Sequence, residues 1–233
     1  ILRNAIMRTE EEYSDDLLAE EIQHEAVELA SRFIAPLNEY EYGIIQQLTS
    51  WAERAKNQVD SKAKAILEWL EDHLKEGDNW NDKRVILFTE YRATLNWLHQ
   101  ILVAHGYGGN RLMLLHGKMN TNEREIVKAA FQASPDISPV RILLATDAAS
   151  EGIDLQNHCN YLIHVEIPWN PNVMEQRNGR IDRHGQKEKH VYIWHPVGKG
   201  FIYDQIQDNN KSRTVDDHEF LMRAALKIDK IRE

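Results

Sequence analysis

Two arginines three residues apart, Arg180 and Arg183, with Gln176 four residues before the first, carry the most pointed chemistry in this chain. On a helix the three share one stripe, with Gly179 beside them, while Met174 and Ile181 point the opposite way. Two guanidiniums and an amide on an outward face have the geometry to grip a phosphate arriving from elsewhere, because each planar fork bonds two oxygens at once. The stretch also carries helix punctuation. Asn170 can cap the start, Pro171 sits where a missing N–H is no loss, and Gly185 can stop it, so the spacing predicts a helix over 171–183. A lone R-x-x-R is more often a solvated basic face, and the surroundings must decide.

Such residues need a frame to aim them. From Arg84 onward short apolar runs alternate with helical patterns: Val85 to Phe88, Arg111 to Leu115, Arg141 to Ala145, Tyr161 to Val165 and Val191 to Trp194 are strand-like. Helices are expected from Thr94 to about His105, from about Asn122 to Ala133 and over 171–183. Near-continuous apolar strands separated by helices mean an α/β fold, a parallel sheet covered on both faces. An earlier helix, capped by Asp60 or Ser61, would bury Ala63, Ile66, Leu67, Leu70 and Leu74 and end at Gly77. Ligands of open α/β sheets gather beyond the carboxyl ends of the strands, which singles out four loops. They are Thr89-Glu90-Tyr91, His116-Gly117-Lys118-Met119-Asn120, the stretch Thr146 to Gln156, and the arginine stretch itself. In the second, Asn122 and Glu125 can form a capping box, and free N–H groups with Gly117 and Lys118 suit a nucleic-acid phosphate.

The pattern Q-R-x-G-R-x-x-R-x-G-Q resembles the sixth conserved motif of superfamily 2 helicases and translocases. Its closing His184-Gly185-Gln186 resembles the SWI/SNF-type branch, including the bacterial RapA-like proteins. Thr89-Glu90-Tyr91 is similar to the fourth motif, and Thr146-Asp147-Ala148-Ala149-Ser150-Glu151-Gly152-Ile153-Asp154-Leu155-Gln156 to the fifth. The resemblance covers about residues 60 to 200 and implies a RecA-like lobe. It implies that Arg180 and Arg183 act as arginine fingers with Gln176, and that Gly152, Asp154 and Gly179 lie near the nucleotide. It places His116, Gly117, Lys118, Thr146 and Ser150 toward nucleic acid, a reading to which Arg124 and Phe131 of the family pattern add. One position departs: Asp154 stands where SWI/SNF remodellers often carry Asn.

The phosphate cradle of a nucleotide motor is missing. Gly117-Lys118 is followed by Met119, no G-x-x-x-x-G-K-[ST] loop occurs, and no D-E-x-H tetrad is present. The expectation is a second, C-terminal motor lobe, with ATP and Mg²⁺ held mainly by the first RecA-like lobe of the same parent chain. The nucleic acid implied is double-stranded DNA. The alternatives are a strand-separating or RNA-directed superfamily 2 helicase, or a non-catalytic nucleic-acid or protein docking module that retains the fold.

Composition sets the remaining bounds. The 233 residues are 42% hydrophobic, enough for a core, and the single cysteine, Cys159, excludes an internal disulfide and a Cys-rich zinc site. Eleven histidines show no metal-ligand spacing. No apolar run is long enough to span a membrane, and a cytoplasmic protein is expected. The net charge of −9 is concentrated at the start: 18 acids against 8 bases lie in the first 80 residues. Residues 1–59 read as an acidic helical arm open to protein partners, with Leu18, Ile22, Ala26, Leu29 and Phe33, then Ile44, Leu48, Trp51, Ala55 and Val59, at helical spacing. Residues 60–200 form the lobe. Residues 201–233 are a C-terminal extension with Phe220, Ala224, Ile228 and Ile231 as a helical stripe. Beginning at Ile1, the chain reads as a piece of a longer one.

Overall fold

The computed structural model describes residues 36–56, 58–147, 155–168 and 170–196, with Val27, Glu28 and Ser31 besides. The expected helices at Leu18 to Phe33 and Phe220 to Ile231 fall outside the described residues, apart from these isolated positions. Helix α1 (Glu39–Ala55) opens on a capping box between Asn38 and Glu41 and buries none of its side chains. Tyr40, Leu48 and Trp51 are more than half exposed, and Val59 lies past its end. Asp60 caps α2 (Ser61–Leu74), accepting from Ala63 N at 2.7 Å. This helix buries Ala63, Ile66, Trp69, Leu70 and Leu74. It stops three residues before Gly77, because the chain turns into a small hairpin, β1 (Lys75–Glu76) and β2 (Asn79–Trp80), whose turn uses Gly77 at φ +63°.

The sheet follows: β3 (Val85–Thr89), α3 (Arg92–Ala104), β4 (Leu112–Leu115), α4 (Thr121–Gln132), β5 (Ile142–Thr146), β6 (Tyr161–His164), α5 (Pro171–Asn178) and β7 (Tyr192–Trp194). Its five strands run β4-β5-β3-β6-β7, all parallel. Alternation is visible within each apolar run. Val85, Leu87, Ile142, Leu144 and Ile163 pack with α2 and α3 in one core. Ile86, Phe88, Leu143, Ala145 and Leu162 pack with Val127 and Phe131 of α4, and with Leu155, Cys159 and Ile181, in the other. Two local readings shift. Helix α3 begins at Arg92, two residues earlier than expected. The capping box of α4 is Asn120 with Glu123, not Asn122 with Glu125, since Asn120 Oδ1 accepts Glu123 N at 2.9 Å and thereby starts the helix at Thr121.

Two buried arginines hold the amino-terminal pole of the sheet. Arg84 is wholly buried and donates from Nε to Val140 O at 2.9 Å and from Nη1 to Phe131 O and Ala133 O, so a cation closes the carboxyl end of α4. Burial and the nearby Arg141 lower its pKa to about 10. That still leaves it charged at neutral pH by a factor of roughly 10³. Arg141 bonds Asn81 O, Ser138 O and Asp82. These two arginines are structural, their donors already bonded within the fold.

Candidate functional site

Strand β3 lies at a switch in the sheet: the connection after it leads to β4 through β5's outer side, while β6 and β7 continue the other way. A crevice therefore opens beyond the carboxyl ends of β3, β5 and β6. Thr89 and Thr146 end neighbouring strands in register, and both are fully buried. Glu90 follows, with its N–H 3.3 Å from Glu166 Oε2. Burial raises the Glu90 carboxyl pKa, Arg177 opposes this, and the neighbouring Asp147 and Glu166 charges add to it.

Arg177 occupies the floor of the crevice. Its Nε and Nη2 meet Asp147 Oδ1 and Oδ2, each at 2.6 Å, and its Nη1 donates to Glu166 O at 2.9 Å. The guanidinium also lies 5.7 Å from the Phe88 ring centre. Beside it, His164 Nε2 donates to Asn178 Oδ1 at 2.9 Å, which leaves Nδ1 to accept from Arg177 Nη1 at 3.4 Å. The His164 ring stacks on His195, centroids 4.7 Å apart. Burial, then His195 and Arg177, hold the His164 pKa well below the usual imidazole value, so the ring is neutral.

Sequence reasoning did not single out Arg177, Asp147 or His164. The signal was present: Arg177 falls three residues after Met174 on the face turned to the sheet, where a charge requires a buried partner.

Helix α5 starts as expected. Asn170 Oδ1 accepts Asn172 N at 3.0 Å and Pro171 occupies the first turn. It ends at Asn178, five residues before the expected end, with Gly179 as its C-cap. Gly179 N reaches Glu175 O at 2.8 Å, and a Cβ at 179 would sit 3.3 Å from that same carbonyl. Gln176 is thus on the helix, whereas Arg180 and Arg183 stand on the turns that follow. Those turns are clamped to the sheet. Leu155 N donates to Arg180 O at 3.2 Å, Ile181 is fully buried, and Gln186 Nε2 donates to Cys159 O at 3.0 Å and Ile181 O at 2.9 Å. Gln156 Nε2 reaches His184 O at 3.4 Å. Gly185 is no helix stop; at φ +97° it makes the turn in which Gln186 N meets Arg183 O at 3.0 Å.

As expected, Met174 and Ile181 are buried while Gln176 and Arg183 are exposed; Arg180 is half-buried. His116 and Gly117 are half-buried in the turn closed by Met119 N to His116 O at 3.2 Å, and Lys118 is exposed. Thr146 ends a central strand and its side chain meets no solvent. Ser150, Gly152 and Asp154 lie outside the described residues.

The donor set suits a polyanion. An exposed guanidinium such as that of Arg183 can neutralise phosphate oxygens, and the Gln176 amide can donate hydrogen bonds to them. Among the described residues no group of three or more His, Cys, Asp or Glu side chains could hold a metal ion. Nor is any described helix long and apolar enough to cross a membrane.

The profile of the family described as helicase conserved C-terminal domain matches residues 62–185. The chain is 35% identical over 150 residues to the "uncharacterized ATP-dependent helicase YqhH" of Bacillus subtilis (strain 168), covering 64% of this chain and 24% of that protein. It is 30% identical over 148 residues to the "DNA repair protein rhp54" of Schizosaccharomyces pombe, covering 64% and 17%. It is 31% identical over 155 residues to the "RNA polymerase-associated protein RapA" of Haemophilus influenzae (strain PittEE), covering 66% and 16%. The matched stretch therefore spans a quarter or less of these relatives. Among solved structures, the C-terminal part of the Fun30 ATPase domain aligns with TM-score 0.50 at 20% identity, covering 82% of this chain and 63% of that one, a likeness of fold.

Proposed function

Because the chain belongs to the helicase conserved C-terminal domain family, as a second RecA-like lobe of the SWI/SNF-like branch of superfamily 2, we propose that it is the arginine-bearing half of an ATP-dependent translocase on double-stranded DNA. The carrying observation is the turn after α5. Arg180 and Arg183 stand on a segment locked to the sheet by Leu155, Ile181 and Gln186, while the Arg183 side chain faces solvent. A rigid support under an outward guanidinium is what positioning a charge against a phosphate of another lobe requires.

Bound ATP with Mg²⁺ supplies a phosphoryl group for transfer to water. Arg183 and Arg180 neutralise the charge that develops there, and Gln176 donates an amide beside them. Arg177 fixes α5 against Asp147 and so sets where that turn lies. The turn His116 to Asn120, with exposed Lys118 at its tip, meets the phosphodiester backbone. Two relatives, an ATP-dependent helicase and a DNA repair protein, support ATP and DNA as ligands. The lobe alone lacks a phosphate cradle, so it is inactive without its first lobe.

The test is single-turnover ATP hydrolysis by the intact parent protein. Arg183→Ala or Arg180→Ala should slow it by roughly 10³ to 10⁵, with little rescue by lysine, since a point charge does not reproduce the fork. Melting of the Arg183→Ala protein should be unchanged. Near-normal hydrolysis in both variants, or DNA-stimulated ATP turnover by the 233-residue chain alone, would overturn the reading.

A further inference from the structure

At the pole opposite the crevice, a groove of about 520 Å³ opens between the entrance of β6, the entrance of β7 and Lys83. Its floor is a tyrosine stack: the Tyr161 and Tyr192 rings lie 5.1 Å apart and 14° from parallel, and Tyr192 is half exposed. Lys83 stands 5.9 Å from the Tyr161 ring centre, and Lys187 and Lys189 rise from the facing loop. Among the described residues none of these three lysines has a carboxylate within ion-pair distance. Glu188 is the one acid in the lining. The loop is fixed in place: Gln186 Oε1 accepts Glu188 N at 3.1 Å, Asn160 Nδ2 donates to His190 O at 3.1 Å, and Tyr192 N donates to Asn160 O at 2.8 Å.

Concentrated positive charge over a rigid, half-open aromatic stack matches an anion that also has a flat ring. A phosphate on each lysine and a base continuing the tyrosine stack would satisfy both features. An acidic peptide would use the lysines but leave the ring face to water. A duplex would offer no free base face. We propose that this groove is a second nucleic-acid site, which takes unpaired nucleotides of a single strand. Four residues of β6 separate its two poles, about 13 Å of strand, so it is distinct from the surface around Lys118. It stands whether or not the motor reading does.

Fluorescence anisotropy of the 233-residue chain tests it, with a labelled oligothymidylate, a blunt-ended two-strand duplex and a polyglutamate peptide as probes. The oligothymidylate should bind more tightly than either other probe. Lys187→Gln and Lys189→Gln should each reduce the slope of log affinity against log salt by about 0.7. Tyr192→Ala should weaken binding about 5- to 150-fold, and Tyr192→Phe should retain it. Should Tyr192→Ala fail to fold, the surface lysine variants decide alone. No binding, a loss caused by Lys118→Ala but by neither groove lysine, or polyglutamate binding as tightly and through the same lysines would each overturn the groove as a single-strand site. The second outcome would leave the motor reading intact.

Discussion

Arg177 and Asp147 form a two-point ion pair, each nitrogen–oxygen distance 2.6 Å, with the Arg177 side chain 1% exposed and Asp147 34% exposed. The pair joins the end of β5 to the last turn of α5. The third bond, to Glu166 O, adds the loop after β6, so one guanidinium ties three segments of the crevice together.

Removing one partner of a buried pair strands the other and the carbonyl with it. Arg177→Ala should therefore destabilise the chain by about 3 kcal/mol, the lower end for broken buried pairs because Asp147 keeps some solvent. A domain of this size should then melt roughly 6 to 12 °C lower. Lysine should recover little, since one ammonium cannot meet both Asp147 oxygens and Glu166 O. Thermal melts of both variants check this. A shift within error for Arg177→Ala would show that the pair is not what holds α5.

Much of this frame was legible beforehand. The apolar runs became the strands because the sheet's central strands β3, β5 and β6 are covered on both faces and need apolar residues almost throughout, while β7 stays exposed at the edge. Asn170-Pro171 marked the start of α5 through local chemistry alone. The end of α5 was not legible, because long-range bonds decide it. Arg180 O is taken by Leu155 N and Ile181 O by the Gln186 side chain, carbonyls that a continuing helix would have needed. Periodicity in R-I-D-R cannot reveal such competitors. A pattern sorted by polarity assigns every arginine to the wet face, so Arg177 is legible only from its place three residues after Met174 on the buried face.

The boundary before Asp60 can be tested directly. Helix α1 has no buried residue, whereas Asp60 caps α2, which belongs to the core. Deleting residues 1–59 while keeping Asp60 should leave cooperative urea unfolding, with stability changed by no more than about 1 kcal/mol. Loss of the cooperative transition would place the arm within the folding unit.

The neutral ring of His164 makes stability depend on pH. Its folded pKa lies well below the ordinary value, chiefly through burial and then through His195 and Arg177, with the bond to Asn178 opposing them. In the unfolded chain the same ring titrates near about pH 6.5. Above that pH neither state carries the proton, and the stabilising contribution is fully present. As pH falls below it, the unfolded chain takes up a proton that the native ring refuses, so stability declines until the folded pKa is reached. The slope contributed by this one site is at most about 1.4 kcal/mol per pH unit. Urea unfolding between about pH 7.5 and 5.5 should show the decline in the native sequence. His164→Gln, destabilised overall, should show a shallower decline over the same range, because glutamine takes up no proton. Equal slopes for the two proteins would mean that His164 is protonated in the folded state, and the hydrogen bond from Arg177 to its Nδ1 would then not exist.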